Sequence, residues 1–333
     1  FMKIIRNILP ALLFIAVTTQ VSFAQDAPTA DTTKTDKKKN KNLSLEPGRT
    51  FEFDLNEGSW MSLDLSNDGK TIVFDFLGDL YTIPIVGGNA TQITEGMQFD
   101  SQPRMSPDGN KVIYISDESG GENVWTYDFT TKEKTQVTTG NTNSYQSPEW
   151  SPEGKYMIAS KQSGRNASKL WLYHIEGGSG TALVKEPNSL KMIEGAFGGD
   201  SRYIWFSRQT GNPTYNAPLP QYQMATYDRE TGEIIAQSSR YGASFRPTPS
   251  SDGKWLAYAT RHEDETGIML RDLSTGDDSW LAYPVQHDDQ ESRTTRDVLP
   301  GFSWTPDNQH IVISYGGKIW KINRIVIGFG IFR

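Results

Sequence analysis

The sequence predicts an all-β fold, a six-bladed β-propeller of four-stranded antiparallel blades, from two observations. One turn recurs six times at blade-length spacing, and the same order of β-rich runs follows each copy, in a chain whose 36% hydrophobic residues and 30 glycines make a globular composition. Ser66-Asn67-Asp68-Gly69, Ser106-Pro107-Asp108-Gly109, Ser151-Pro152-Glu153-Gly154, Ser250-Ser251-Asp252-Gly253 and Thr305-Pro306-Asp307-Asn308 share one turn chemistry, with a degraded copy at Gly198-Gly199-Asp200-Ser201. Ser or Thr bonds backbone amides ahead of it, Pro presets φ at the second position, and Gly or Asn accepts the left-handed conformation at the end. Successive acidic residues of the turn are 40, 45, 47, 52 and 55 positions apart. A β-sandwich, the chief alternative, leaves six copies of one turn at near-constant period unexplained.

In chain order, residues 2–24 read as a signal peptide. Lys3 and Arg6 form a charged start, Ile8–Val17 is a short apolar run, and Ala24 closes a small-residue cleavage site. That run is interrupted by Pro10 and is too short to span a bilayer, so no stable membrane span is expected. Residues 25–49 carry almost no large apolar side chain and are expected to be a disordered linker. Its five lysines between Lys34 and Lys41 read as a solvated spacer. The propeller is expected over residues 50–324. After each turn comes a second strand (Thr71–Phe74, Lys111–Ile115, Tyr156–Ala159, Tyr203–Phe206, Trp255–Tyr258, Ile311–Ile313). A third follows (Asp79–Ile83, Asn123–Tyr127, Lys169–Tyr173, Gln223–Tyr227, Ile268–Arg271, Lys318–Lys321), and then a glycine-bearing turn leads to a fourth strand such as Ala90–Ile93. Trp125, Trp171, Trp205, Trp255 and Trp320 recur at equivalent blade positions and are expected in the core between blades. The sixth unit has no such fourth strand, which leaves an open edge. Thr50–Leu55 is expected to close it as a clasp, with Ile325–Ile331 as the alternative.

Composition removes several chemistries. With no cysteine there is no disulfide, thiol nucleophile, thiolate metal site or lipoprotein anchor. Net charge is −7, and residues 51–333 alone carry −11, a balance that repels phosphate backbones and argues against a nucleic-acid partner. The four histidines, His174, His262, His287 and His310, lie in separate segments with no ligand spacing, and read as loop or strand-end side chains. Neither a Gly-x-Ser-x-Gly elbow nor a phosphate-binding glycine loop occurs. One acid per turn supplies too few oxygens for calcium. No catalytic residue, metal ligand or cofactor site is therefore assigned.

The turn, the apolar strand and the following Asp/Asn-apolar-Tyr/Trp strand resemble the WD-repeat-like blade of TolB propellers over roughly residues 55–323. Gly69–Ile83, Tyr203–Ser207, Arg240–Pro247, Lys254–His262 and Asp288–Pro300 further resemble the N-terminal propeller of large exported bacterial amidohydrolases. The resemblance implies a periplasmic or secreted propeller that gates amide- or peptide-like substrates for a metal-dependent hydrolase domain missing from this chain. Residues 325–333 do not resemble that family's continuation and read as a non-family tail of a truncated product. Two alternatives are a stand-alone TolB-like envelope interaction protein and the propeller half of a prolyl-peptidase-like serine hydrolase.

Blade geometry selects a face. The repeated turn joins innermost strand to second strand on one rim, so the growth in repeat length falls in loops on the other. Arg208–Pro220, Arg261–Gly267 and His287–Pro300 all enlarge that opposite face, where a protein or peptide-like ligand is expected. Candidate binding residues are Arg261, His262, Glu263, Asp288, Asp289, Gln290, Glu291, Arg293, Arg296 and Asp297, with Phe245, Arg246, Gln102 and Gln146 lining the channel mouth.

Overall fold

The computed structural model describes residues 51–211, 220–287 and 297–325. Blade 1 contains β1 (Leu63–Leu65), β2 (Thr71–Phe76), β3 (Asp79–Pro84) and β4 (Thr91–Gln92). Blade 2 contains β5 (Ser101–Met105), β6 (Lys111–Ser116), β7 (Asn123–Asp128) and β8 (Lys134–Gln136). Blade 3 contains β9 (Asn143–Trp150), β10 (Tyr156–Ser163), β11 (Lys169–His174) and β12 (Gly177–Ala182). Blade 4 contains β13 (Met192–Phe197), β14 (Tyr203–Gln209), β15 (Tyr222–Asp228) and β16 (Ile234–Ala236). Blade 5 contains β17 (Phe245–Pro249), β18 (Trp255–His262), β19 (Glu265–Asp272) and β20 (Asp278–His287). Blade 6 contains β21 (Ser303–Trp304), β22 (His310–Tyr315) and β23 (Lys318–Asn323). Every pairing is antiparallel between sequence neighbours, so each blade is a meander.

The repeated turn is built as its residue types dictate. In the second copy Ser106 Oγ donates to Asp108 Oδ1 at 2.6 Å and accepts from the Lys111 amide at 2.9 Å, while Asp108 accepts from the Asn110 amide at 3.0 Å. These bonds hold the Asp108 carboxyl below its usual range, the Ser106 hydroxyl contributing most. Ser66/Asp68, Ser250/Asp252 and Thr305/Asp307 repeat the geometry, each with a 2.6 Å hydroxyl–carboxylate bond.

Among the described residues, six apolar clusters fill the spaces between blades. Val73 and Leu80 meet Val112 and Tyr114 between blades 1 and 2, and Ile113 and Val124 meet Tyr145 and Met157 between blades 2 and 3. Leu63 and Phe74 meet Val312 between blades 1 and 6, so the ring closes through its core. Each fully buried Leu or Ile contributes about 1.5–3 kcal/mol. Two buried indoles tie neighbouring blades together: Trp150 Nε1 donates to Arg104 O at 3.0 Å and Trp304 Nε1 to Thr248 O at 2.8 Å.

Three details depart from the sequence expectation. The N-terminal segment forms no strand beside β23: Gly58 N donates to Gly317 O at 3.0 Å and Lys318 pairs with Glu57 at 3.4 Å, but no ladder follows. Phe51, Phe53 and Leu55 are exposed. Trp320 faces solvent instead of the core, because blade 6 offers no outer strand to cover it among the described residues. Trp125, Trp171, Trp205 and Trp255 are only partly buried, packed on the flanks of the clusters. Residues 2–49 and the tail beyond Ile325 lie outside the described residues. Among the described residues no helix is long and apolar enough to cross a membrane.

Candidate functional site

The innermost strands carry a bulge, and the bulge builds the axis. Register slips between Ser101 and Arg104 in β5, opposite Ile158 and Ser160 in β9, between Ile193 and Ala196 in β13, and between Phe245 and Thr248 in β17. Within each slip one residue adopts positive φ: Gln102 (58°), Ser147 (49°), Glu194 (59°) and Arg246 (54°). Each stands six residues before the acidic member of its turn, as do Ser62 in blade 1 and Gly301 in blade 6. A bulged residue loses its ladder partner, so its amide needs another acceptor. Neighbouring blades supply most of them. Gln102 N donates to Asp75 Oδ2 at 2.7 Å, Ser147 N to Gln102 Oε1 at 2.8 Å, Arg246 N to Glu194 Oε2 at 2.7 Å and Gly301 N to Ser62 Oγ at 3.1 Å.

At the centre of this ring lies Asp297, whose side chain has no exposed surface. It accepts from Arg246 Nη1 at 2.6 Å, Ser147 Oγ at 2.6 Å and Gln102 Nε2 at 3.1 Å. A second guanidinium, Arg104, reaches Glu149 at 3.3 Å and the carbonyl of Phe302 at 3.1 Å. Gly301 is small because both arginines pass it: a Cβ there would stand 2.7 Å from Arg246 Nη2. Burial pushes Asp75 up to about 7, outweighing the two amides, Gln102 and Ser62, that favour its charge. Burial and the nearby Asp297 raise Glu194 as well, with Arg246 pulling the other way. The axis is thus sealed by an ion-paired polar plug.

Two of the recesses among the described residues, of about 280 Å³ each, open on the face of the second-to-third-strand hairpins, the face selected by loop length. One lies at blades 4 and 5, between Arg240–Gly242 and the β18–β19 hairpin. Arg240 Nε donates to Thr260 Oγ1 at 3.0 Å and its guanidinium lies 5.7 Å from the Trp280 ring. His262 packs between Trp280 and Tyr283, at 5.7 and 5.3 Å between centroids, and Tyr241 is 77% exposed at the lip. The other recess lies at blades 1 and 2. Leu77, Phe99 and Trp60 form its rim, and Asp75, Asp100 and Ser101 form its floor.

The candidates divide accordingly. Arg261, His262 and Glu263 are brought together in the first recess, with Arg240 and Tyr241 as unforeseen neighbours. Gln102 and Arg246 stand at the axis, below the mouth where the sequence placed them. Two assignments are corrected by one residue: Phe245 is fully buried in the core, and Gln146 pairs with Ser160, while Ser147 takes the axial place. Asp297 is not a rim residue but the centre of the plug. Glu194 and Asp75 were not anticipated. Asp288, Asp289, Gln290, Glu291, Arg293 and Arg296 lie outside the described residues. The four histidines all sit at strand ends, and among the described residues no three His, Cys, Asp or Glu side chains gather as a metal site.

Fold and site define a six-bladed propeller with a closed polar axis and a loop face that offers recesses. Residues 64–223 match the family of the tricorn protease N-terminal beta propeller domain. Over 54 residues, 12% of the relative's length, the chain is 44% identical to a protein TolB homolog of Protochlamydia amoebophila. TolB from Acinetobacter baumannii superposes with a TM-score of 0.61 at 17% identity, over 79% of this chain and 61% of that one. A TolB structure from Agrobacterium tumefaciens gives 0.58 at 17% identity, over 79% and 88%. The chain is a TolB-like β-propeller in fold.

Proposed function

We propose that this propeller is an exported, periplasmic binding module without catalytic residues of its own, which takes a protein or peptide-like ligand on the face of the second-to-third-strand hairpins. The observation that carries this reading is the pairing of two recesses on that face with an axis blocked behind them by Asp297, Arg246, Ser147 and Gln102. A ligand reaching the mouth is held there and does not thread through. The charged start, apolar run and small-residue site of residues 2–24 support export, and the TolB likeness agrees with an envelope location.

A second reading is favoured by the match to a protease's N-terminal propeller and by the resemblance to amidohydrolase propellers. There the same face gates amide substrates for a hydrolase domain that follows the propeller.

A photo-cross-linking amino acid at Tyr241, with Glu153 on the opposite rim as the control, tests the face. Cross-links to an envelope protein or peptide from Tyr241 and not from Glu153 are expected; equal labelling from both overturns the assignment. Metal-dependent hydrolysis of dipeptides or N-acyl amino acids by this chain would overturn the non-catalytic part.

A further inference from the structure

The recess at blades 1 and 2 has an unusual floor. Asp100 has no exposed surface, and among the described residues its Oδ2 accepts from Gln98 Nε2 alone, at 3.2 Å. Its Oδ1 and the Ser101 hydroxyl, in a residue 5% exposed, have no hydrogen-bond partner among the described residues. A buried carboxylate oxygen without a donor is costly, so a donor supplied at this floor would be stabilising. Asp75 lies beside it, and among the described residues no Lys or Arg lines the recess. Asp79, just behind, is itself raised to about 6, by burial first and then by the charge of Asp100. Above this acidic floor the wall is apolar and aromatic: Trp60, Phe76 and Phe99, with Leu77 73% exposed at the lip. Aromatic faces attract an alkyl stem and, through the ring quadrupole, a cation at its end.

We propose that this recess is a binding subsite for a cationic side chain, an arginine or lysine of a peptide-like ligand. Its stem lies against Trp60, Phe76 and Phe99, and its charged head donates to Asp100 Oδ1 and the Ser101 hydroxyl. A volume of about 280 Å³ suits one side chain and not a whole small-molecule ligand. The charge of −11 over residues 51–333 draws cations to this body in the first place. The proposal deepens the binding-face reading and rests on it.

The test is calorimetric titration of the full chain with acetyl-Ala-Arg-Ala-amide and with its citrulline counterpart, which keeps the shape and loses the charge. The arginine peptide is expected to bind at least tenfold more tightly. Asp100→Asn abolishes that preference. Because a buried substitution can unfold the blade, Leu77→Lys is the second variant: at an exposed rim position it offers the floor a cation of its own and lowers arginine-peptide affinity about tenfold. Equal binding of the citrulline peptide, or an unchanged affinity in Leu77→Lys, overturns the cation site while the face assignment survives. Failure of the arginine peptide to bind overturns the cation site too, and cross-linking from Tyr241 at the other recess then decides separately whether the face assignment also falls.

Discussion

Removing the Asp297 carboxylate should cost more stability than any other single side-chain truncation at the axis. In Asp297→Ala, Arg246, whose side chain is 5% exposed, loses its 2.6 Å partner and keeps the Glu194 and Glu149 carboxylates as weaker counter-charges. Breaking such a pair from one side costs about 3–5 kcal/mol. Ser147 and Gln102 each lose an acceptor, about 1 kcal/mol apiece, while some relaxation of Arg246 toward Ser147 Oγ, 3.1 Å away, returns part of it. A net loss of about 4 kcal/mol follows, which lowers the melting temperature by roughly 10 °C in a domain of this size. The assay is guanidinium unfolding followed by tryptophan fluorescence for Asp297→Ala, Arg246→Ala and the double variant. Because each single change takes from the other charge its 2.6 Å partner, the double variant should be less destabilised than the sum of the singles by about 2 kcal/mol or more. A loss below about 1 kcal/mol in Asp297→Ala, or strict additivity, would refute the view that the plug is an interdependent ion-paired network.

Three further outcomes follow from the same geometry. Asp75 is raised to about 7 in the folded chain, so the native state holds a proton that the unfolded state has released between about pH 4 and 7. Its stabilising share is therefore full below pH 4 and lost as pH rises through 7, and Asp75→Asn should flatten the slope of unfolding free energy across that window by up to about 1.4 kcal/mol per pH unit. Chemical denaturation at four pH values reads this directly; parallel slopes would show that Asp75 is charged throughout. Ser106→Ala removes the two bonds made by the Ser106 hydroxyl in the second turn, leaves that of Asn110 to Asp108, and should cost about 1–2 kcal/mol by the same unfolding assay. Gly242→Ala would set a Cβ 2.0 Å from the Arg261 carbonyl, forcing the β18–β19 hairpin outward. About 2 kcal/mol of stability and the cross-linking from Tyr241 should be lost together.

The blades were legible because their signal is local. A Ser, an Asp and a Gly within four residues determine a turn whatever surrounds it, and six such turns at blade spacing leave one architecture. The axis was half legible, for a reason visible in Gln146 and Phe245. Counting from where each strand begins misplaces the inward-facing residue by one, because a bulge inserts a residue and reverses the alternation. Counting six back from each turn's acid gives Ser62, Gln102, Ser147, Glu194, Arg246 and Gly301 without error, so the signal was present in the sequence and the wrong anchor hid it. Asp297 is different. It reads as one more charge in a charged loop, and only its partners, 51 and 150 residues distant, reveal it as the centre of the molecule. The unpartnered Asp100 Oδ1 is likewise a tertiary fact, since a lone Asp before a strand carries no local mark.

Seal and recesses together constrain how a ligand can lie. In a ring of six, the junction of blades 1 and 2 faces that of blades 4 and 5 across the axis. Among the described residues, the first junction presents Asp75 and Asp100, whereas the second presents Arg240 and Arg261 beside Glu263. On the proposed binding-face reading, a peptide laid across the mouth would meet acidic side chains at one junction and arginines at the other. Its charge pattern, and not its length alone, then sets its direction. Reversing the sequence of a peptide that carries arginine at one end and a carboxylate at the other keeps the composition and loses one of the two matched ends. The asymmetry of the face thus supplies orientation that six similar blades, by their repetition, could not.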